Sequence, residues 1–191
     1  IQMPKTSILP TLSESHYYYI RNVWFGRYAQ YNASDNSITP VNGKSEDDTY
    51  LWRIKKNDDG TVFIYSKKTE TAAYLASNAV DQKVKVGKDY AWTLEERTLD
   101  GKSGICIIDG SKKYSWYTNP DAWTYILMKP FWGACTWEFQ KSGVEVPTGI
   151  GDIEETENGK RETENCYDLS GRQVRKAAKG VYITNGQIVV K

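Results

Sequence analysis

The residues Leu51-Trp52-Arg53-Ile54 recur in the same pattern twice further along the chain, as Ala91-Trp92-Thr93-Leu94 and Thr136-Trp137-Glu138-Phe139. In each copy a tryptophan and an apolar residue two positions later point to one face of an extended strand. The polar residue between them points to the other face. The three tryptophans follow one another at intervals of about 40 to 45 residues, which is typical of repeat architectures. We therefore expect three copies of one β-rich unit.

Two further β-rich runs precede each tryptophan strand, in the same order. The runs that open the three units are residues 17–20, 62–65 and 105–108. The shorter runs that follow are centred on Tyr28, Tyr74 and Tyr114. Pairs such as Asn42-Gly43 and Asp100-Gly101 lie between runs and supply the positive φ that tight turns need. Because one unit cannot bury its own apolar face, we expect three units to close around a pseudo-threefold axis, which also removes exposed strand edges.

On these strands, residues 17–143 resemble the β-trefoil of ricin-type lectins. The resemblance implies an all-β fold of three pseudo-repeats, but it does not carry over the sugar sites of that family. The glutamine that usually stands two positions before each tryptophan is replaced by Tyr50, Tyr90 and Cys135. The sugar-binding aspartate of the family stands two residues beyond a cysteine-like position. If the cysteine-like position is placed at the three tyrosines, the residues two positions further on are Gln30, Ala76 and Trp116.

The charge and the reactive residues argue against several classes of function. Lys and Arg number 25 and Asp and Glu number 24, so a net charge of +1 provides no basic field for nucleic acid. The three cysteines have no C-x-x-C spacing and His16 is the single histidine, so we expect no metal site and no cofactor. No Ser-His-Asp or Cys-His arrangement can be assembled, and we expect a protein that is not an enzyme. No apolar run reaches the length of a transmembrane segment.

The composition changes near the end of the trefoil region, and we divide the chain into four segments. These are a leading segment at 1–16, the trefoil at 17–143, a linker at 144–165 and a small C-terminal β-module at 166–191. In the module we expect two hairpins, the second with its turn at Asn185-Gly186, because Asn-Gly between alternating apolar strands is a strong hairpin signal.

The module also resembles the C-terminal sorting domains of the type IX (Por) secretion system. The residues that carry the resemblance are Tyr167-Asp168-Leu169-Ser170-Gly171-Arg172, Lys179-Gly180-Val181-Tyr182-Ile183, Asn185-Gly186 and the terminal Lys191. The resemblance implies an exported bacterial protein, secreted or held at the cell surface, and often a large hydrolase.

The candidate binding residues are concentrated in the third unit, where aromatic side chains are mixed with amide and carboxylate groups. They are Trp116, Asn119, Asp121, Trp123 and Trp132, with Trp24 of the first unit as a further candidate. Sugar sites commonly combine an apolar platform with a few polar anchors, and tryptophan offers such a platform. The alternative is that these aromatic residues fill the core or seal the interfaces between units.

From these features we predict a carbohydrate-binding accessory module, forming the C-terminal part of a larger glycan-active enzyme. Its partners would be a glycan or polysaccharide and an upstream catalytic domain of the parent chain. The alternative is a protein-interaction or spacer trefoil with no sugar site. A shallow aromatic site with convergent polar groups would favour the first reading over the second.

Overall fold

The computed structural model describes residues 11–147 and, further on, the backbone of residues 166–167, 173–174, 181–184 and 187–190. The chain forms two compact units, residues 1–151 and 152–191. The first unit contains twelve strands within its described part. They are β1 (His16–Asn22), β2 (Tyr28–Asn32), β3 (Ser37–Val41), β4 (Trp52–Lys56), β5 (Val62–Ser66), β6 (Ala73–Tyr74), β7 (Lys85–Val86), β8 (Thr93–Leu99), β9 (Lys102–Ile108), β10 (Ser115–Tyr117), β11 (Leu127–Lys129) and β12 (Trp137–Glu145).

Six of these strands form a closed antiparallel barrel. β1 pairs with β4 and with β12, β4 pairs with β5, and β9 pairs with β8 and with β12. The ring closes between β5 and β8 at Val62 and Trp92, whose backbones exchange two hydrogen bonds of 2.8 Å. Closure leaves the barrel without an unpaired edge strand, as the repeat pattern predicts.

The other six strands form three hairpins that cover one end of the barrel. The hairpins are β2 with β3, β6 with β7 and β10 with β11. They meet at Ile38, Val84 and Ile126, whose side chains are fully buried. The Val84 amide donates to the Ile126 carbonyl at 3.0 Å, and the Ile126 amide donates to the Ile38 carbonyl at 2.7 Å. Three such hairpins on a six-stranded barrel make a β-trefoil, so the expected all-β trefoil is confirmed.

The tryptophans Trp52, Trp92 and Trp137 lie in the core, and their hydrogen bonds show which positions are equivalent in the three repeats. The indole Nε1 of Trp52 donates to the carbonyl of Ala29, that of Trp92 to Ala73 and that of Trp137 to Trp116, each at 2.9 Å. All three indoles are fully buried with their N–H groups satisfied. A large apolar side chain whose single donor is paired is well suited to a barrel core.

These hydrogen bonds correct the alignment of the repeats. Ala29, Ala73 and Trp116 occupy equivalent places, so the equivalents of Tyr28 are Ala72 and Ser115 rather than Tyr74 and Tyr114. With the corrected alignment the positions two residues further on hold Gln30, Tyr74 and Tyr117. None of these is an aspartate, so the expectation that the family's sugar-binding acid is missing is unchanged.

The last barrel strand extends beyond the expected end of the trefoil at residue 143. β12 runs to Glu145, and the Val146 amide donates to the Ser15 carbonyl at 2.9 Å. Val144 and Val146 pack beside the buried side chains of Tyr17 and Tyr19. Residues 148–165, which make up most of the expected linker, lie outside the described residues.

The second unit contains a four-stranded antiparallel sheet in the order β14-β13-β15-β16. Its strands are β13 (Cys166–Tyr167), β14 (Gln173–Val174), β15 (Val181–Thr184) and β16 (Gln187–Val190). Cys166 pairs with Val174, and Thr184 pairs with Gln187. Both expected hairpins are therefore present, while their connecting turns lie outside the described residues.

Candidate functional site

A buried asparagine at the end of β1 holds the first loop of the trefoil against the third repeat. The Asn22 side-chain amide donates to the carbonyls of Ala134 at 2.9 Å and Thr136 at 3.2 Å. Its Oδ1 accepts a hydrogen bond from the Phe25 amide at 2.9 Å. Asn22 is fully buried, so these bonds satisfy a polar group that would be costly to leave unpaired. The loop that carries Trp24 is thereby fixed to the segment just before β12.

Trp24 rests directly on the backbone of Gly133. A Cβ atom built at Gly133 would lie 2.3 Å from both Cε3 and Cζ3 of Trp24, so no side chain fits between them. Gly133 opens a short 3₁₀ helix, Gly133–Cys135, which immediately precedes β12. This close approach explains why the position holds glycine, and it fixes the plane of the Trp24 ring.

Two exposed tryptophans and a tyrosine form one aromatic group, which we call the aromatic corner and define as Trp24, Trp132 and Tyr117. The ring centroids of Trp24 and Trp132 are 6.1 Å apart with the planes inclined at 54°. Tyr117 lies 5.2 Å from Trp132 at 34° and is itself buried. Trp24 is 38% exposed and Trp132 is 37% exposed, which is unusual for side chains of this size. The corner joins repeat one to repeat three.

Polar groups from the hairpin between β8 and β9 flank the corner. Asp100 and Gly101 have φ values of 48° and 77°, as required by a tight two-residue turn. Asp100 Oδ2 accepts a hydrogen bond of 2.7 Å from the Gly133 amide, which ties this turn to the base of Trp24. Lys102, at the start of β9, places its Nζ 5.9 Å from the centroid of the Trp24 ring. An exposed ammonium group and a carboxylate thus lie beside the exposed indoles.

The loop between β10 and β11 lies on the same side of the third repeat. The Asn119 carbonyl accepts from the amide of Trp123 at 2.8 Å, and Asn119 Oδ1 accepts from the amide of Asp121 at 3.1 Å. The Asn119 side chain is close enough to the Tyr117 hydroxyl to lower its pKa, against the effect of burial. Trp123 packs partly buried against the cluster that contains Tyr117, whereas Asp121 is exposed. Asn119 therefore shapes the loop and connects it to the aromatic corner.

The structure does not support Trp116 as a ligand-binding residue. Trp116 is fully buried and stacks edge-to-face between Trp92 at 5.5 Å and Trp137 at 6.2 Å. It fills the place that Ala29 and Ala73 occupy in the other repeats. A side chain with no accessible surface cannot contact a glycan, so Trp116 belongs to the core and the expectation was wrong for this residue.

Burial keeps the hydroxyl and thiol groups beneath the site in their neutral forms. Burial raises the pKa of Tyr117 above its usual value, with the hydrogen bond from Asn119 acting in the opposite direction. Burial likewise raises the pKa of Cys135 to about 12 and that of Cys106 to about 11. Because the thiolate is the nucleophilic form, neither cysteine is set up for nucleophilic chemistry.

One arrangement near the start of β1 has the order of a catalytic triad. His16 Nδ1 lies 2.9 Å from Ser15 Oγ, and His16 Nε2 lies 3.6 Å from a carboxylate oxygen of Glu145. The Glu145 side chain is 79% exposed. The Ser15 amide already donates a hydrogen bond to Ser13 Oγ. The acid of this arrangement is therefore exposed rather than buried, and the Ser15 amide is not free to serve as an oxyanion donor.

Within the described part of the chain, no group of three or more His, Cys, Asp or Glu side chains is arranged to hold a metal ion. No helix among the described residues has the length and apolar character needed to cross a membrane. The site that the structure offers is thus the aromatic corner with its flanking polar groups. Asn22, Tyr117, Asp100, Lys102 and Gly133 were not identified from the sequence, since nothing local marks residues that meet only across repeats.

Comparisons with known proteins bear on the fold. No protein-family model matches the chain, and no curated protein is similar to it in sequence. Among solved structures, the Rhizoctonia solani agglutinin has a TM-score of 0.57 at 17% identity, covering 67% of this chain and 96% of that chain. The Macrolepiota procera ricin B-like lectin, solved with lactose, has a TM-score of 0.57 at 16% identity over 69% of this chain and 99% of that one.

A third similar structure is that of an enzyme, the GlcNAcα1-4Gal-releasing endo-β-galactosidase from Clostridium perfringens. Its TM-score is 0.55 at 13% identity, and the match covers 66% of this chain but only 32% of the enzyme. At such identities the likeness establishes the architecture and not the ligand. The first unit of this chain therefore has the β-trefoil fold that ricin B-like lectins also have.

Proposed function

We propose that the trefoil is a carbohydrate-binding module without catalytic activity of its own, and that it binds a glycan at the aromatic corner. The observation that carries the proposal is the pair of exposed indoles, Trp24 and Trp132, beside the charged side chains of Asp100 and Lys102. A pyranose presents C–H groups on its faces and hydroxyl groups around its rim. An aromatic surface flanked by a few hydrogen-bonding groups is complementary to both.

The corner is held in place before any ligand binds. Trp24 lies against Gly133, and its loop is tied down by the three side-chain hydrogen bonds of Asn22. Trp132 lies against the buried Tyr117. Because little side-chain freedom remains to be lost on binding, a weak stacking contact produces more net affinity than it would on a mobile loop.

The similar structures add support of a general kind. An agglutinin and a lactose-bound lectin share this fold, and in the endo-β-galactosidase the similar region is about a third of the enzyme. We therefore propose that this chain likewise serves as an accessory module, attached to a glycan-active catalytic domain of the parent protein.

We further propose that the parent is an exported bacterial protein, secreted or held at the cell surface. This rests on the Asp168-Leu169-Ser170-Gly171-Arg172 and Lys179-Gly180-Val181-Tyr182-Ile183 motifs of the C-terminal module, which resemble type IX sorting domains. The test is cell fractionation of a host with that secretion system, comparing the parent protein with a version lacking residues 166–191. Export of both versions alike would contradict a sorting role.

A glycan-array screen of the purified chain tests carbohydrate binding. We expect a defined glycan class to bind, with binding lost in Trp132→Ala and Trp24→Ala and reduced in Trp123→Ala. Phe63→Ala is the matched control, because Phe63 is a partly exposed aromatic residue of the second repeat. Loss of binding in the control to the same extent would place the site elsewhere. Silence across a broad array would refute the proposal and leave a protein-docking or spacer trefoil.

A further inference from the structure

The geometry of the aromatic corner limits the shape of what can bind there. The planes of Trp24 and Trp132 are inclined at 54° with their centroids 6.1 Å apart. A flat polysaccharide ribbon needs aromatic rings that lie in one plane along its length, and these two rings do not. A single sugar ring, in contrast, can place its face on one indole and its edge against the other. The corner is therefore suited to one sugar residue at a chain end.

The charge beside the aromatic corner further restricts the chemical class of the ligand. Four cations that lie over aromatic rings in the described part of the chain are also paired with a carboxylate. These are Arg53 with Glu70, Lys67 with Asp48, Lys83 with Asp35 and Arg97 with Glu95. Lys102 lies over Trp24 without an ion-pair partner among the described residues, and it is exposed. Its positive charge is thus not balanced by direct contact with an acid.

The nearest acid along the chain is already engaged. Asp100 Oδ2 accepts the Gly133 amide hydrogen bond at 2.7 Å, so this carboxylate is anchored to the backbone beneath Trp24. Two other cations lie in this region and are paired: Arg97 lies 3.9 Å over the ring of Phe131 while bonded to Glu95, and Lys129, whose charge acts on Tyr117, forms an ion pair with Asp81. Lys102 is left as the group that can pair with a charge on the ligand.

On these grounds, and resting on the proposed carbohydrate-binding function, we propose that the corner selects a terminal sugar bearing an anionic group, a carboxylate or a sulfate. The sugar ring stacks in the angle between Trp24 and Trp132, and Lys102 pairs with the anion.

The test compares oligosaccharides that differ only in charge. A uronate-terminated oligosaccharide, its carboxyl-reduced neutral counterpart and a sulfate-terminated analogue are titrated against the chain by isothermal calorimetry. Their isomers with the charged residue placed internally are titrated alongside. We expect the two anionic termini to bind about 1.5-fold to fivefold more tightly than the neutral one, the range for one exposed ion pair. Whichever anion binds more tightly identifies the natural group.

Two lysine variants separate a specific contact from general attraction. Lys102→Gln should abolish the preference for the anionic terminus, so that the anionic and neutral oligosaccharides bind this variant equally. Lys88→Gln removes the same charge from a lysine that lies over Tyr74 in the second repeat, also without an ion-pair partner among the described residues, and should have no effect. An equal loss in both variants, or tighter binding of the internal isomers, would overturn the inference.

The same data distinguish failure of this inference from failure of the proposed function. Equal binding of neutral and anionic termini, still lost in Trp132→Ala, would refute the anionic preference while supporting the carbohydrate site. The absence of binding to every oligosaccharide in both the titrations and the array would refute the two together.

Discussion

Replacing Asn22 by alanine should destabilise the trefoil and release the loop that carries Trp24. In the native structure the side chain makes three hydrogen bonds, to the carbonyls of Ala134 and Thr136 and from the amide of Phe25. Asn22 has no exposed surface, so water cannot replace the lost side chain without rearrangement. Asn22→Ala removes all three bonds, and only the Thr136 carbonyl keeps another backbone partner, the Val23 amide at 2.9 Å.

The expected magnitude follows from the number of bonds. Each intramolecular hydrogen bond contributes about 1 kcal/mol net, so the loss of three should lower the free energy of unfolding by about 3 kcal/mol. With a urea m-value of about 2 kcal/mol/M, the unfolding midpoint should fall by about 1.5 M. Glycan binding should weaken as well, because the Trp24 loop loses its attachment to the segment before β12.

Tryptophan fluorescence during urea unfolding provides the assay, since all seven tryptophans lie in the trefoil region. Asn42→Ala is the control, because Asn42 is exposed in a turn and its loss should change stability by less than about 0.5 kcal/mol. Asn22→Asp keeps the size and the acceptor but removes both donors, so its loss of stability relative to the wild type should be larger at pH 7 than at pH 4, where a protonated carboxyl can donate. A midpoint for Asn22→Ala within about 0.3 M of the wild type would refute the reasoning.

Three further outcomes are expected. Gly133→Ala should displace the Trp24 ring, cost about 1–3 kcal/mol of stability and weaken glycan binding, with acrylamide quenching of tryptophan reporting the displacement. Trp116→Ala should lower the free energy of unfolding by about 3–5 kcal/mol in a urea titration, because it empties a core site; a loss below 1 kcal/mol would contradict the core assignment. The hydrogen bond from Lys83 lowers the pKa of Asp35 from 3.8 to about 2. The stability this provides is complete above the unfolded pKa and is lost as pH falls towards 2, so Lys83→Met should return the Asp35 pKa, followed by NMR, towards 3.8.

The sequence was sufficient for the fold because the fold depends on local patterns that are repeated. The three tryptophan strands each place a large apolar residue on one face, and a residue on one face of a strand faces the core in every repeat. The hairpin at Asn185-Gly186 was likewise evident, since the turn type depends on two adjacent residues. Trp52, Trp92 and Trp137 accordingly lie in the core, each with its indole N–H bonded to an equivalent carbonyl.

Trp116 shows where the sequence was insufficient. The sequence pattern aligns Tyr114 with Tyr28, whereas the structure aligns Ser115 there. A shift of one residue reverses the face of every side chain in a strand. Short insertions between repeats hide such shifts. Only the hydrogen bond from Trp137 to the Trp116 carbonyl establishes the alignment and places Trp116 in the core.

Composition and repeat pattern by themselves determined a three-unit all-β chain rich in aromatic residues. The tertiary structure alone decided which of those residues reach solvent together. Trp24 and Trp132 belong to different repeats and meet only because Asn22 and Gly133 bring the first loop against the start of β12. Strand patterns arise from contacts close in sequence, whereas this site arises from contacts more than 100 residues apart. No local pattern encodes such a contact, so the aromatic corner could be seen only once the barrel had closed.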